Sequence, residues 1–230
     1  MRILDVKIDN VSTDEILKKV PIFLGDGFQH YIVTPNPEML VLAQKNRDFR
    51  EILNKADMAI ADGIGIIFAS LLFGKKIKRI HGVDLMAKIL AMAENRIFLL
   101  GGRSVAEKIA KDYPAVIGFS EELENATAQI NKLQPNILFV ALGAPRQENW
   151  IAENLAKIPS VRIAMGVGGA FDLLSGKIKR APKFMRKIGL EWLWRLILEP
   201  KRLSRIYRAV IVFPFLAVKN FIVNFLSSEK

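Results

Sequence analysis

Residues 136–150, NILFVALGAPRQENW, decide the fold: an apolar run at 136–142 stops at Gly143, Ala144 and Pro145 and passes into the polar triplet Arg146-Gln147-Glu148. A short apolar run closed by turn residues reads as a strand delivering a polar loop. The pattern recurs in both directions, and strands are expected at 2–8, 30–34, 57–61, 96–101, 115–118, 136–142 and 161–166. Between them lie helix signals. Ser12-x-x-Glu15 and Ser104-x-x-Glu107 fit capping boxes, and Asn36-Pro37 puts a capping side chain before a proline at the first helical position. The alternation predicts an α/β fold, a Rossmann-like, doubly wound and largely parallel sheet with helices on both faces.

Ligands of such sheets bind beyond the C-terminal strand ends. Here those ends read Thr34-Pro35-Asn36-Pro37, Asp62-Gly63-Ile64-Gly65, Gly101-Gly102, Gly143 to Glu148, and Gly166-Val167-Gly168-Gly169-Ala170-Phe171-Asp172. Any one of them reads as an ordinary glycine turn. Five on one rim favour a nucleotide-sized site, because glycine lets backbone N–H groups approach a phosphate. No complete G-x-G-x-x-G or phosphate-binding loop motif occurs, which ranks a nucleotide-dependent oxidoreductase low.

The 230 residues carry a net charge of +11, and its distribution is uneven. Residues 1–176 hold 21 Lys/Arg against 20 Asp/Glu, whereas residues 177–230 hold 13 against 3. The expected division is a core at 1–176 and a basic helical appendage at 177–230. The appendage interleaves arginines with Trp192, Trp194, Leu193, Leu196, Ile197 and Leu198. Its longest uncharged run, Ala209 to Val218, has ten residues and includes Pro214, which reads as too short to cross a bilayer. Basic residues with apolar spacing fit helices lying on an anionic membrane surface. Packing on the domain and an oligomer interface are the plainer alternatives. Nucleic acid is disfavoured as a partner because Ala209–Leu226 is too apolar to face phosphates. A membrane-binding module without catalysis would leave the polar rim unexplained. The chain has no cysteine, which excludes disulfides and thiolate chemistry. Its first ten residues alternate apolar and charged groups like a first strand, so a cytoplasmic location is expected.

The motifs TPNPE (34–38), ADG (61–63), ALGAPRQENW (141–150), GVGGAFD (166–172), KRAP (179–182), LEWLWRL (190–196) and EPKR (199–202) resemble those of the WecG/TagA/CpsF family, glycosyltransferase family 26. The resemblance implies an inverting hexosyltransferase that moves a sugar from a UDP-sugar to a polyprenyl-diphosphate-linked acceptor, peripheral on the inner face of the cell membrane. The best-known member type adds N-acetylmannosamine to undecaprenyl-diphosphate-N-acetylglucosamine for wall teichoic acid. Other members use N-acetylmannosaminuronic acid or other hexoses, and the motifs do not distinguish the donors.

By the same resemblance Asp62 is the catalytic base, although a helix N-cap is an equal reading of that aspartate from the residues alone. Thr34 and Asn36 are expected to line the sugar pocket, Gln147 to contact sugar or phosphate, and Asp172 to lie near the uracil. Arg79 and Asp84 border the cleft, and Gly166, Gly168 and Gly169 form the substrate-binding turn. His81, with no partner evident, reads as structural. No D-x-D occurs, so no metal and no cofactor are expected. Arginines are the alternative for the leaving diphosphate, and Arg195, Arg202 and Arg205 match functionally implicated positions of the family's tail. The tail would then both anchor the enzyme and complete its site. Whether the free protein hides its apolar tail in a homo-oligomer stays open.

Overall fold

A computed structural model describes every residue except Ala93, Glu94, Arg103, Glu229 and Lys230. The chain opens with a hairpin of two short strands, β1 (Arg2–Ile3) and β2 (Val6–Lys7), followed by α1 (Thr13–Gly25) and β3 (His30–Val33). Next come α2 (Pro37–Lys45), α3 (Arg47–Lys55), β4 (Met58–Ala59), α4 (Ile64–Leu72) and α5 (Gly82–Leu90). The sequence continues with β5 (Ile97–Gly101), α6 (Ala106–Asp112), β6 (Val116–Ser120), α7 (Ala126–Leu133), β7 (Ile137–Ala141), α8 (Arg146–Asn154) and β8 (Ile163–Gly166). The remaining chain is helical: α9 (Ala170–Leu174), α10 (Lys183–Lys187), α11 (Glu191–Leu198), α12 (Leu203–Tyr207) and α13 (Phe213–Ser228).

Six strands form one parallel sheet in the order β4-β3-β8-β7-β5-β6. Successive side chains go to opposite cores, as a pleated strand requires. Phe98, Leu100, Leu138 and Val140 join one cluster with α2, α3, α4, α7 and α8, and Ile97, Leu99, Ile137 and Phe139 join the other with α1, α5, α6 and α9. A sheet covered on both faces has no need for polar residues in its central strands, which is why those segments read as apolar runs.

Three expectations are corrected. The segment 2–8 is no strand of the main sheet. Leu4 and Asp5 both adopt left-handed φ, 49° and 61°, and fold it into the antiparallel β1–β2 hairpin. Ser104 does not cap α6: its φ of 60° is incompatible with the extended backbone of an N-cap, and Val105 takes that position without a side-chain bond. Ser12 and Asn36 do cap α1 and α2 as expected.

The third correction concerns the tail. Its helix is continuous through Arg208 and Lys219, so Pro200–Val223, 24 residues that also hold Lys201, Arg202 and Arg205 near their start, is by length and composition apolar enough to cross a membrane. A π-helical turn at Arg208–Val212 links α12 to α13. One side of this helix is part of the protein core, with Phe213 and Ala217 each only 1% exposed against the cluster that contains Ile66 and Ala69 of α4. The other side leaves Leu203, Tyr207, Ile211, Phe215, Val218 and Ile222 in the open.

Candidate active site

A cavity of about 490 Å³ opens over the C-terminal ends of the four adjacent strands β4, β3, β8 and β7. Thr34 and Asn36 follow β3, Asp62 and Gly63 follow β4, Ala144 and Gln147 follow β7, and Val167, Gly168 and Gly169 follow β8. The tail supplies the facing wall with Glu191, Trp192, Arg195, Arg202, Arg205 and Ile206. Its size and mixed lining suit a small-molecule site. The fifth expected rim element does not take part. Gly101 and Gly102 have φ of 89° and 88°, and a Cβ on Gly102 would lie 2.3 Å from the Phe171 ring. That glycine pair serves close packing.

Asp62 stands where β4 ends, its own N–H donating to the Pro35 carbonyl at 3.0 Å and so tying two rim loops together. Gly63 beside it has φ 90° and turns the chain into α4 without a side-chain cap, so Asp62 is not the N-cap that its position allows. Enclosure by protein raises the Asp62 carboxyl to about 6; His81 and Arg79 oppose that rise, and Glu191 adds to it. A carboxylate so placed is a stronger base than one in water.

Thr34 is buried, its hydroxyl 3.5 Å from the Gly166 carbonyl. Asn36 accepts from the Met39 N–H at 3.1 Å and thus caps α2 while lining the cavity. Gln147 behaves differently from the expected substrate-contacting amide. Its Oε1 accepts from the N–H groups of Gly143 (3.1 Å) and Gly168 (2.9 Å), and its Nε2 donates to Glu148 Oε1 at 2.7 Å. One side chain therefore clips the β7 and β8 loops to each other. Gly166 lies beneath this clip, where a Cβ would fall 2.6 Å from Gln147 Nε2.

Asp84 lies outside the cavity lining and pairs with Arg180, whose Nη2 reaches Oδ2 at 2.7 Å. That hydrogen bond holds Asp84 below the usual carboxylate range. Asp172 is also outside the lining, 3.7 Å from Lys177 Nζ. Arg79 lines the cavity.

The tail arginines converge on two carboxylates. Arg195 Nε donates to Glu199 Oε2 at 2.7 Å, and Arg202 Nε lies 2.9 Å from Glu199 Oε1. Arg205 Nε and Arg208 Nη1 reach the two oxygens of Glu38 at 2.7 and 3.1 Å. Both Arg195 and Arg202 press against Gly169, where a Cβ would meet their Nη2 atoms at 3.1 and 3.3 Å. Burial, then the neighbouring Arg195, lowers the pKa of Arg202, the mark of cations held close before any anion arrives. Among the described residues no three His, Cys, Asp or Glu side chains gather in a metal-binding group.

Sequence reading missed Glu38, His81, Glu148, Glu191 and Glu199. Glu148 is fully buried, and burial raises its carboxyl from 4.5 to about 7. Such a group is neutral more readily in the folded chain than in the unfolded one. The contribution of Glu148 to stability is therefore greatest below about pH 4.5 and declines as pH rises to about 7, by on the order of 3 kcal/mol. Glu148→Gln keeps an acceptor for Gln147 and removes the ionisation, so melting temperature measured from pH 5 to 8 should fall less steeply in the variant than in the parent.

A parallel α/β sheet whose strand-end cavity joins a carboxylate base to a cluster of arginines has the equipment for transferring a group away from a diphosphate. Residues 1–225 match the glycosyl transferase WecG/TagA/CpsF family, and the chain belongs to that family. Similar relatives are N-acetylglucosaminyldiphosphoundecaprenol N-acetyl-beta-D-mannosaminyltransferases. The one from Bacillus subtilis (strain 168) is 36% identical over 189 residues, 76% of this chain and 73% of the relative. That from Bacillus spizizenii is 32% identical over 213 residues, 86% and 82% of the two chains, and that from Staphylococcus aureus (strain MRSA252) is 30% identical over 234 residues, 94% and 91%.

Proposed function

We propose that this chain transfers N-acetylmannosamine, with inversion, from UDP-N-acetylmannosamine to undecaprenyl-diphosphate-linked N-acetylglucosamine at the cytoplasmic face of the membrane. The observation that supports it most is the meeting, in one cavity, of Asp62 from the sheet and Arg195, Arg202 and Arg205 from the tail. The relatives' names supply the transferred sugar and the acceptor.

In this reading the acceptor hydroxyl gives its proton to the Asp62 carboxylate as its oxygen attacks the anomeric carbon. The bond from that carbon to the diphosphate oxygen breaks on the opposite face, and UDP leaves with the electron pair. Arg195, Arg202 and Arg205 offset the negative charge that develops, a term in which preorganised donors are most effective. The exposed apolar side of the tail helix rests on the bilayer and keeps the lipid-linked acceptor within reach. No cofactor enters the scheme.

Product analysis tests it, using the full chain with vesicles, a synthetic lipid-diphosphate-N-acetylglucosamine and a panel of UDP-sugars. A β-linked disaccharide from UDP-N-acetylmannosamine is expected. Retention of anomeric configuration, or preference for another donor, would replace the corresponding part of the proposal.

A further inference from the structure

Three side chains beside Asp62 form a chain of contacts that the scheme above leaves unused. Arg79 Nη2 lies 2.9 Å from His81 Nε2, and His81 Nδ1 lies 3.2 Å from Glu191 Oε2. An ionised carboxylate only accepts, so Nδ1 carries the proton directed at Glu191, while the Arg79 nitrogen stands close to both ring nitrogens, 3.4 Å from Nδ1 as well as 2.9 Å from Nε2. Arg79 Nη2 is itself 3.8 Å from the same Glu191 oxygen. All three residues line the cavity with Asp62. Arg79 and His81 belong to the core, just before α5, whereas Glu191 is the first residue of α11 in the tail.

We propose that Glu191 is a positioning residue for the catalytic base: it fixes the His81 ring against Arg79 and brings a second carboxylate from the tail to the side of Asp62. This inference rests on the reading of Asp62 as the base. The ring cannot rotate without giving up the bond to Glu191. Burial works against the charge of Glu191, but the hydrogen bond from His81 and the charges of His81, Arg180 and Arg79 outweigh burial and hold its carboxyl below the ordinary range. The negative charge of Glu191 opposes ionisation of Asp62 and makes it the stronger proton acceptor.

The other groups acting on Asp62 are its neighbour's Gly63 N–H, His81 and Arg79 before α5, and Arg180 from the segment before α10. Arg195, Arg202 and Arg205 stand on the tail wall of the same cavity. Among the described residues of the tail, Glu191 is the carboxylate whose charge bears on Asp62, while Glu199 is taken up by Arg195 and Arg202. The tail contributes to proton removal as well as to the leaving group, through a different residue for each.

Glu191→Gln separates charge from geometry, because the amide oxygen still accepts from Nδ1. In the full-length enzyme, the acidic limb of kcat/KM for the variant should move to lower pH by about half to one unit, with a lower plateau rate and little change in KM. Glu191→Asp should restore most of the limb. A second readout needs no turnover: 13C NMR titration of the labelled Asp62 carboxyl in the substrate-free protein should show the same downward movement. An unmoved limb together with an unmoved carboxyl midpoint would overturn the inference, even if the variant melted earlier. Failure of the underlying reading looks different, since a parent enzyme with no acidic limb, or an active Asp62→Asn, would remove the base itself.

Discussion

Asp62→Asn should lower turnover roughly a thousandfold while leaving the protein at least as stable as its parent. Asparagine has nearly the same shape, so the N–H of residue 62 still reaches the Pro35 carbonyl and the rim loops keep their geometry. What disappears is the carboxylate that the proposed scheme uses to take the acceptor's proton. The stability side follows from the same burial. Because the folded-state pKa is raised from 3.8 to about 6, the folded chain disfavours the charged form. The contribution of Asp62 to stability falls as pH rises from about 4 to about 6 and stays at the lower level above that. A neutral asparagine avoids this loss, so the variant's melting temperature at pH 7 to 8 should equal or exceed the parent's. Activity lost while stability is kept or gained identifies a functional strain rather than a structural support. Parent turnover should also decline as pH falls through about 6. Turnover of Asp62→Asn within tenfold of the parent would remove Asp62 from the chemistry.

How far the sequence carried depends on the range over which each feature is encoded. The sheet was legible because apolar runs such as 97–101 and 137–141 state locally that both faces are covered. The rim was legible because glycine and proline mark strand ends. The N-terminal hairpin was hidden: its turn residues, Leu4 and Asp5, carry no glycine or asparagine to announce left-handed backbone. The clip made by Gln147 was hidden because its partners come from two loops that are close only in space. The glutamates that hold the site were missed for a related reason. Glu38 and Arg205 are 167 positions apart, and an acidic residue in the first turn of α2 already has a local explanation in helix electrostatics. His81 looked partnerless because its partner lies 110 positions on, in the tail. Counting uncharged residues misjudged the tail helix, since the charges at 208 and 219 interrupt a run on paper without ending a helix.

Arg202→Ala should lower kcat about a hundredfold, and Arg202→Lys should recover only part of the loss. Four arginines meet two glutamates at the tail wall, Arg195 and Arg202 sharing Glu199 while Arg205 and Arg208 share Glu38. A diphosphate leaving group brings negative charge to these arginines. It gains more negative charge as the sugar bond breaks, so the interaction strengthens toward the transition state and appears in kcat. Lysine keeps the charge but loses the planar fork that engages two phosphate oxygens at once. Arg195 and Arg202 crowd one carboxylate, and burial together with the charge of Arg195 lowers the pKa of Arg202. Removing one of them should therefore leave melting temperature unchanged or slightly higher, the opposite of what loss of a supporting ion pair would do. Point substitution is the right probe here. Deleting the tail would also withdraw Phe213 and Ala217 from the core and confuse unfolding with lost chemistry. UDP release measured in EDTA completes the test: full activity with chelator, together with the Arg202→Ala defect, assigns the leaving group to the arginines. Loss of activity in EDTA that manganese or magnesium restores would assign it to a metal instead, and would reduce the tail's part to holding Glu191 and the lipid surface in place.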